Sequence, residues 1–186
     1  MAARHGMKGT SRDMVISMAV LIIPVLLITW FFTQTPKPEV EVVDVAPVLA
    51  QAEAESPYPI LRPVGLPGDW RPIRVAWAAD GERWITGEDA VGNSWQLGYL
   101  APNDIYVAIQ QRDRSAASFI TWVTREGYRE DGTVDAAGLT WERYVSHDGR
   151  TRSLIAKDDA MVAAVTGDTD FDQLEAFATT LSPSSS

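Results

Sequence analysis

The sequence predicts an α+β protein: an N-terminal transmembrane helix, a Pro-rich acidic linker, then a mainly antiparallel twisted sheet with two helices packed on one face. Three observations carry this expectation. Residues 14–32, MVISMAVLIIPVLLITWFF, contain no charge. Residues 33–66 are rich in proline and acid. From residue 67 onward, apolar residues alternate at period two between turn dipeptides, and two stretches switch to helical spacing. Strands joined by short turns pair antiparallel, and the helices then cover a face of the sheet.

Taken in order, residues 1–13 form a basic tail in which Arg4, Lys8 and Arg12 outweigh Asp13. A helix rises 1.5 Å per residue, so the uncharged run of 14–32 covers about 28 Å, close to the ~30 Å hydrocarbon core. Trp30, Phe31 and Phe32 close it with rings suited to a headgroup region. Acidic residues follow at Glu39, Glu41 and Asp44, so the positive-inside rule places the N-terminus in the cytoplasm. The expected location is the cytoplasmic membrane, single-pass, with an extracytoplasmic C-terminal domain. The expected bilayer contact runs from Met14 to Phe32. A cleaved signal peptide is disfavoured, because its apolar region is only ~7–15 residues long. The nearest small-residue site, Ala50-Gln51-Ala52, lies far downstream.

Residues 33–66, with Pro67 just beyond, hold Pro36, Pro38, Pro47, Pro57, Pro59, Pro63 and Pro67. With Glu53 and Glu55 adding charge, the stretch reads as an extended, disordered spacer. The domain expected over 67–182 begins with the strand Ile73, Val75, Trp77. Trp95, Leu97 and Tyr99 alternate in the next, and Ile105, Val107 and Ile109 in a third. Ser115 is placed to cap a helix carrying Phe119, Trp122 and Val123 at i, i+3 and i+4. Asp131-Gly132 reads as the end of that region. Strands follow around Leu139–Val145, Ser153–Lys157 and Met161–Thr166. A final helix starts near Asp170, where Asp170 and Gln173 have capping-box spacing, and presents Phe171, Leu174, Ala178 and Leu181. Residues 183–186 read as a loose tail.

Composition excludes more chemistry than the motifs suggest. The 186 residues carry a net charge of -9, which disfavours nucleic acid as a partner. There is no cysteine, so disulfides, thiolate zinc sites and a cysteine nucleophile are excluded. His5 and His147 are the only histidines, which excludes a three-histidine metal site. No phosphate-binding glycine loop is present. No cofactor, metal ligand or catalytic residue is assigned. Ser146 and His147 are a candidate nucleophile and base, but His147-Asp148-Gly149 has the composition of a hairpin turn. Asp168, Asp170 and Asp172 resemble the start of a calcium loop, yet Gln173 and Thr179 stand where such a loop needs Gly and Glu. Glu88-Asp89 and Asp158-Asp159 are adjacent acids that point to opposite faces of an extended chain.

Several strings together resemble a known family: Leu66-Pro67-Gly68-Asp69-Trp70-Arg71, Trp95-Gln96-Leu97-Gly98-Tyr99 with Pro102, Tyr106 and Gln110, and Gly138 with Trp141-Glu142. With the basic tail and the opening Arg12-Asp13-Met14-Val15, they are similar to the actinobacterial family called domain of unknown function 4245. The resemblance implies a single-pass protein of the cell envelope. It implies no activity, because the family is uncharacterised.

The functional expectation is a membrane-tethered, extracytoplasmic binding module that engages its partner through one face of its sheet or the loops near Trp70 and Trp84. Trp77, Trp95, Trp122 and Trp141 fall on apolar faces and are expected in the core. Trp70 and Trp84 lie near turns and, with Arg114, are the candidate contacts for an envelope protein or cell-wall component. An envelope hydrolase using a carboxylate pair or Ser146/His147 is the alternative. A transmembrane sensor acting through a cytoplasmic partner is a third.

Overall fold

The computed structural model describes residues 11–33 and 41–184, which fall into two units divided after Val40. In the first, helix α1 spans Ser11–Thr33 with Pro24 inside it. Ser17 and Thr29 turn their hydroxyls back onto helix carbonyls: Ser17 Oγ donates to Met14 O, and Thr29 Oγ1 to Val25 O at 2.9 Å. The expected membrane-spanning helix is corrected here: among the described residues, no helix is long and apolar enough to cross a membrane. The described side chains of the apolar run cover 14–30 without a break, a rise of about 25 Å, against the ~30 Å of a hydrocarbon core. Most of the basic tail, residues 1–10, lies outside the described residues, as do 34–40 with Lys37 and Glu39.

The second unit begins at Glu41, well before the expected boundary at residue 67. Its elements are α2 (Ala46–Glu55), β1 (Leu61–Pro63), β2 (Arg71–Ala78), β3 (Ser94–Leu100), β4 (Tyr106–Arg112), α3 (Ala116–Val123), β5 (Tyr128–Ala136), β6 (Leu139–Val145), β7 (Arg152–Lys157), β8 (Val162–Gly167), α4 (Phe171–Thr179) and β9 (Leu181–Pro183). Seven strands form one antiparallel sheet in the order β2-β3-β4-β8-β7-β6-β5. After β4 the chain passes through α3 to the far edge. It then winds back through β5, β6 and β7 until β8 pairs with β4 at the centre. Strands β1 and β9 make a separate two-stranded ribbon.

The expected disordered spacer is a second correction. Pro47 sits in the first turn of α2, where a missing N–H costs nothing, so the proline starts a helix instead of preventing one. Tyr58, Ile60 and Leu61 are buried in the main core. Gln111, on the central strand β4, holds that segment. Its Oε1 accepts from Leu61 N at 2.7 Å and its Nε2 donates to Pro59 O at 3.0 Å. At the other end of the chain, Ser184 N donates to Ile60 O at 2.8 Å, so residues 183 and 184 are also fastened. Residues 185 and 186 of the expected tail lie outside the described residues.

The helices do not share a face, which is a third correction. One face of the sheet carries Trp95, Leu97, Val107, Ile109, Trp141, Leu154, Ala163 and Val165, and packs on Ala52 of α2 and on Leu174, Phe177 and Ala178 of α4. The opposite face carries Ile155, Val162 and Ala164, and packs on Phe119 and Val123 of α3. Neighbouring residues of a strand point to opposite faces, so β7 and β8 must be apolar at consecutive positions. They are: Leu154–Ala156 and Val162–Val165 are apolar runs, and Ser153–Ala156 and Val162–Gly167 are buried throughout. Trp95 and Trp141 are almost fully buried, each with its indole N–H satisfied, on Leu61 O at 3.1 Å and Ala136 O at 3.0 Å. Each removes roughly 200 Å² from water, worth about 5 kcal/mol at ~25 cal/mol per Å².

The caps differ from expectation in an instructive way. Asp170 accepts from Gln173 N at 2.9 Å, as a helix cap should. Gln173 does not complete the box; its Oε1 accepts from Thr169 Oγ1. Ser115 precedes α3 with a left-handed backbone (φ 54°) and makes no side-chain cap.

Candidate functional site

The second face of the sheet is only partly covered. Beside α3 lies a cavity of about 1150 Å³, between that helix and the strands β2, β3, β4 and β8. Its floor follows from register. Gln96 and Gln110 are direct cross-strand partners of β3 and β4, so both side chains emerge on the same face. Tyr106 lies four register pairs along, on the same face, and Thr166 reaches in from β8. Gly98 makes room for the Tyr106 ring, because a Cβ there would collide with Tyr106 Oη and Cε2.

The floor is polar, uncharged and mostly buried. Gln96 is 4% exposed, Gln110 7% and Thr166 8%. Gln96 Nε2 donates to Tyr106 Oη at 3.0 Å, and Gln110 Nε2 to Thr166 Oγ1 at 3.4 Å. Gln96 Oε1 is buried and has no partner. Reversing the amide would place the oxygen on the Tyr106 hydroxyl and leave the NH₂ unpaired, so one amide end stays unsatisfied either way. Burial raises the Tyr106 pKa, against smaller lowering effects from the Gln96 hydrogen bond and the Arg74 charge. The phenol therefore stays a neutral donor and acceptor.

The mouth is built from Trp122 on α3 and the turn that follows it. Trp122 is 54% exposed, whereas its neighbours Phe119 and Val123 are buried. Arg125 and Glu126 both take left-handed backbones, φ 54° and 56°, as the chain turns from α3 toward β5. Asp104, across the opening, has φ 59°. Among the described residues, these are three of the five non-glycine positions with positive φ, and all three line the cavity. Such backbones cost of order 1–3 kcal/mol each and concentrate at functional sites. Charges at the mouth are largely paired: Asp168 with Arg125 at 4.0 Å and with Arg150 at 3.9 Å, and Asp104 with Arg71 at 3.2 Å.

The residues singled out by sequence lie elsewhere and are not brought together. Trp70 is half-buried, stacked on Phe177 with ring centroids 5.5 Å apart. Trp84 is 7% exposed and packs with Ala76, Ala78 and Ala90. Both were expected as exposed contacts, and packing against apolar partners corrects that. Arg114 is exposed but committed to an ion pair with Asp80, which also accepts from Gly92 N at 2.8 Å. Trp77, expected in the core, is only half-buried and donates to Glu55 Oε2 at 2.7 Å. Trp122, also expected in the core, is the tryptophan at the cavity.

The catalytic candidates serve as turn chemistry. Ser146 is buried, its Oγ donates to Asp148 Oδ1 and accepts from Thr151 N at 3.0 Å, and His147 packs on the Tyr128 ring. Asp148 is held below the usual carboxylate range by the Ser146 hydrogen bond, then by the Arg150 backbone. Asp158 Oδ1 accepts from Ala160 N and Met161 N, both at 2.8 Å. Among the described residues, no group of three or more acids and histidines is placed to hold a metal ion.

Fold and cavity together define an antiparallel-sheet α+β domain with an open polar pocket on one face. A family model described as "Protein of unknown function (DUF4245)" matches residues 7–181, and the chain belongs to that family. Four residues of the strings that resemble the family, Gln96, Gly98, Tyr106 and Gln110, shape the cavity floor. No curated protein and no solved structure matches the chain.

Proposed function

We propose that this protein is a non-enzymatic binding module that takes a small polar ligand in the cavity between α3 and the sheet. Of the two surfaces expected from sequence, one face of the sheet or the loops near Trp70 and Trp84, the reading takes the sheet face. A cell-wall component, one of the two partners expected from sequence beside an envelope protein, is one source of such a ligand. The observation that carries the proposal is Gln96. A buried amide end without a partner costs about 1–3 kcal/mol, and it lies in the floor of an open cavity. Oε1 itself is closed off from solvent, so that cost is recovered where the Gln96 amide rotates toward the opening and pairs with a ligand hydroxyl or amide. Left-handed backbones at Arg125, Glu126 and Asp104 support the same location.

The test is a fragment titration of the full chain followed by ¹H–¹⁵N NMR, using neutral sugars, amino acids, dipeptides, nucleosides and dicarboxylates. The expected result is saturable shifts of the Gln96 and Gln110 side-chain amides. Shifts confined to other surfaces, or none from any fragment, would sink the proposal.

A further inference from the structure

The cavity's chemistry also specifies a ligand class. This step rests on the binding-module reading and narrows it: we infer that the cavity takes a neutral saccharide. Three features of the site point that way. First, the floor offers amides and hydroxyls from Gln96, Gln110, Tyr106 and Thr166, with Arg74 at its β2 edge as the ionised group beside them. Amides and hydroxyls both donate and accept, which suits adjacent sugar hydroxyls that do the same. The lining as a whole carries Arg74 and Arg125 against Asp104, Glu126 and Asp168, so an anionic ligand would lose hydration there without meeting a net positive charge. Second, the mouth is close to electrically balanced. Asp168 is paired with Arg125 and Arg150, Asp104 with Arg71, and Arg74 and Glu126 bring one charge of each sign. A phosphate or carboxylate site would carry an excess of cations.

Third, Trp122 stands at the rim on a helix, 54% exposed, beside that polar floor. An indole face presents a flat apolar surface to the C–H face of a pyranose, while the hydroxyls at the ring edge remain free to reach amides. Aromatic body and polar floor together match a molecule with one apolar face and a polar perimeter. The cavity of about 1150 Å³ exceeds what one pyranose fills, so it has room for a short oligosaccharide or the end of a longer chain.

The experiment uses the full chain with glucose, galactose, N-acetylglucosamine, arabinose and neutral disaccharides, alongside amino acids, dipeptides, nucleosides and dicarboxylates. Binding is read by saturation-transfer difference NMR and by tryptophan fluorescence, with ligands taken to about 10 mM so that a Kd near ~1 mM is reached. At least one neutral saccharide should bind saturably. Trp122→Ala and Gln96→Met should each weaken it by about tenfold or more. Tyr128→Ala removes another 54%-exposed aromatic, one that does not line the cavity, and should leave affinity unchanged. Circular dichroism and thermal unfolding of each variant separate lost binding from lost fold. Binding of only a dipeptide, nucleoside or dicarboxylate through the same residues overturns the saccharide assignment and leaves the binding module standing. Saccharide binding that survives both cavity substitutions overturns it too, since the sugar then sits elsewhere. No saturable binding by any compound overturns both readings.

Discussion

Two glutamines on facing sides of one sheet should respond oppositely to the same substitution. Methionine keeps the length of glutamine and drops its amide. In Gln96→Met the protein loses the 3.0 Å hydrogen bond to Tyr106 Oη, worth about 1 kcal/mol. It also sheds a buried Oε1 that has no partner, relieving about 1–3 kcal/mol of desolvation. Tyr106 is only half-buried and its hydroxyl can turn to water. The net change should therefore lie between zero and about 2 kcal/mol of stabilisation. Gln111→Met is different. Leu61 N loses its acceptor at a site 2% exposed, at a cost of about 1–3 kcal/mol. Pro59 O loses its donor as well, but Pro59 is exposed and water compensates in part. The sum is about 2–4 kcal/mol of destabilisation. Urea unfolding followed by tryptophan fluorescence at neutral pH measures both, with equal m-values as the check on two-state behaviour. A loss above ~2 kcal/mol for Gln96→Met would show that its amide is satisfied and structural, refuting the argument for the cavity. A loss below ~0.5 kcal/mol for Gln111→Met would show that residues 59–61 are not docked as described.

Other substitutions probe neighbouring parts of the same reasoning. Asp170→Ala removes the side chain that caps α4, so it should cost about 1 kcal/mol in thermal or chemical unfolding, with Asn restoring most of it. Gly98→Ala places a Cβ against the Tyr106 ring, so it should destabilise by about 1–3 kcal/mol and shift the Tyr106 ring resonances even where the protein still folds. Burial raises the Tyr58 pKa, with the Asp113 charge adding to it. The folded state then holds a proton that the unfolded state releases above the ordinary tyrosine pKa near ~10. Stability should be full below that pH and fall as pH rises beyond it. Tyr58→Phe should lower stability at neutral pH by about 1 kcal/mol, through loss of the hydrogen bond to Asn93 O, while flattening the alkaline decline. Unfolding midpoints measured from neutral pH to about pH 11 check the sign.

Sequence patterning carried some elements well and lost others for definite reasons. Strands β3 and β4 were legible because Trp95, Leu97, Val107 and Ile109 alternate, and α4 because its stripe and its Asp170 cap agree. Strand β5 was not, because it is an edge strand whose first six residues are all exposed and need no apolar face. Its Asp131-Gly132 marks a register shift between Glu130 and Thr133, not an end. Helix α2 was hidden by reading Pro47 only as a breaker; Ala52 is its sole buried residue. Trp122 was misplaced because a helix of two turns packs through Phe119 and Val123, leaving i+3 on the rim. Trp70 and Trp84 do sit near turns, but a turn sets only the local chain direction, and distant partners such as Phe177 decide burial.

The cavity floor had a sequence signal that alternation alone does not reveal. Gln96, Gly98 and Ala108, Gln110 occupy the non-core positions of β3 and β4. A face washed by solvent has no reason to avoid Lys, Glu or Asp, and β2 begins with Arg71 and Arg74 while β5 carries charges throughout. Neutral amides and very small residues in consecutive pairs indicate a surface that is shielded yet must remain polar. Geometry explains why shielding is incomplete there. Seven strands at ~4.8 Å spacing make a sheet about 29 Å wide, and one helix covers roughly 10 Å of it. The core face is filled by α2, α4 and the ribbon of β1 and β9, whereas α3 is the one helix of the second unit's described residues on the other face, seated over Ile155, Val162 and Ala164. What it leaves open over β3 and β4 is neither apolar enough to need another helix nor charged enough to be plain surface. Within that strip Gln96 keeps a shielded Oε1 without a partner, and under the proposed binding role a ligand of matching polarity would offset that cost by drawing the amide toward the opening.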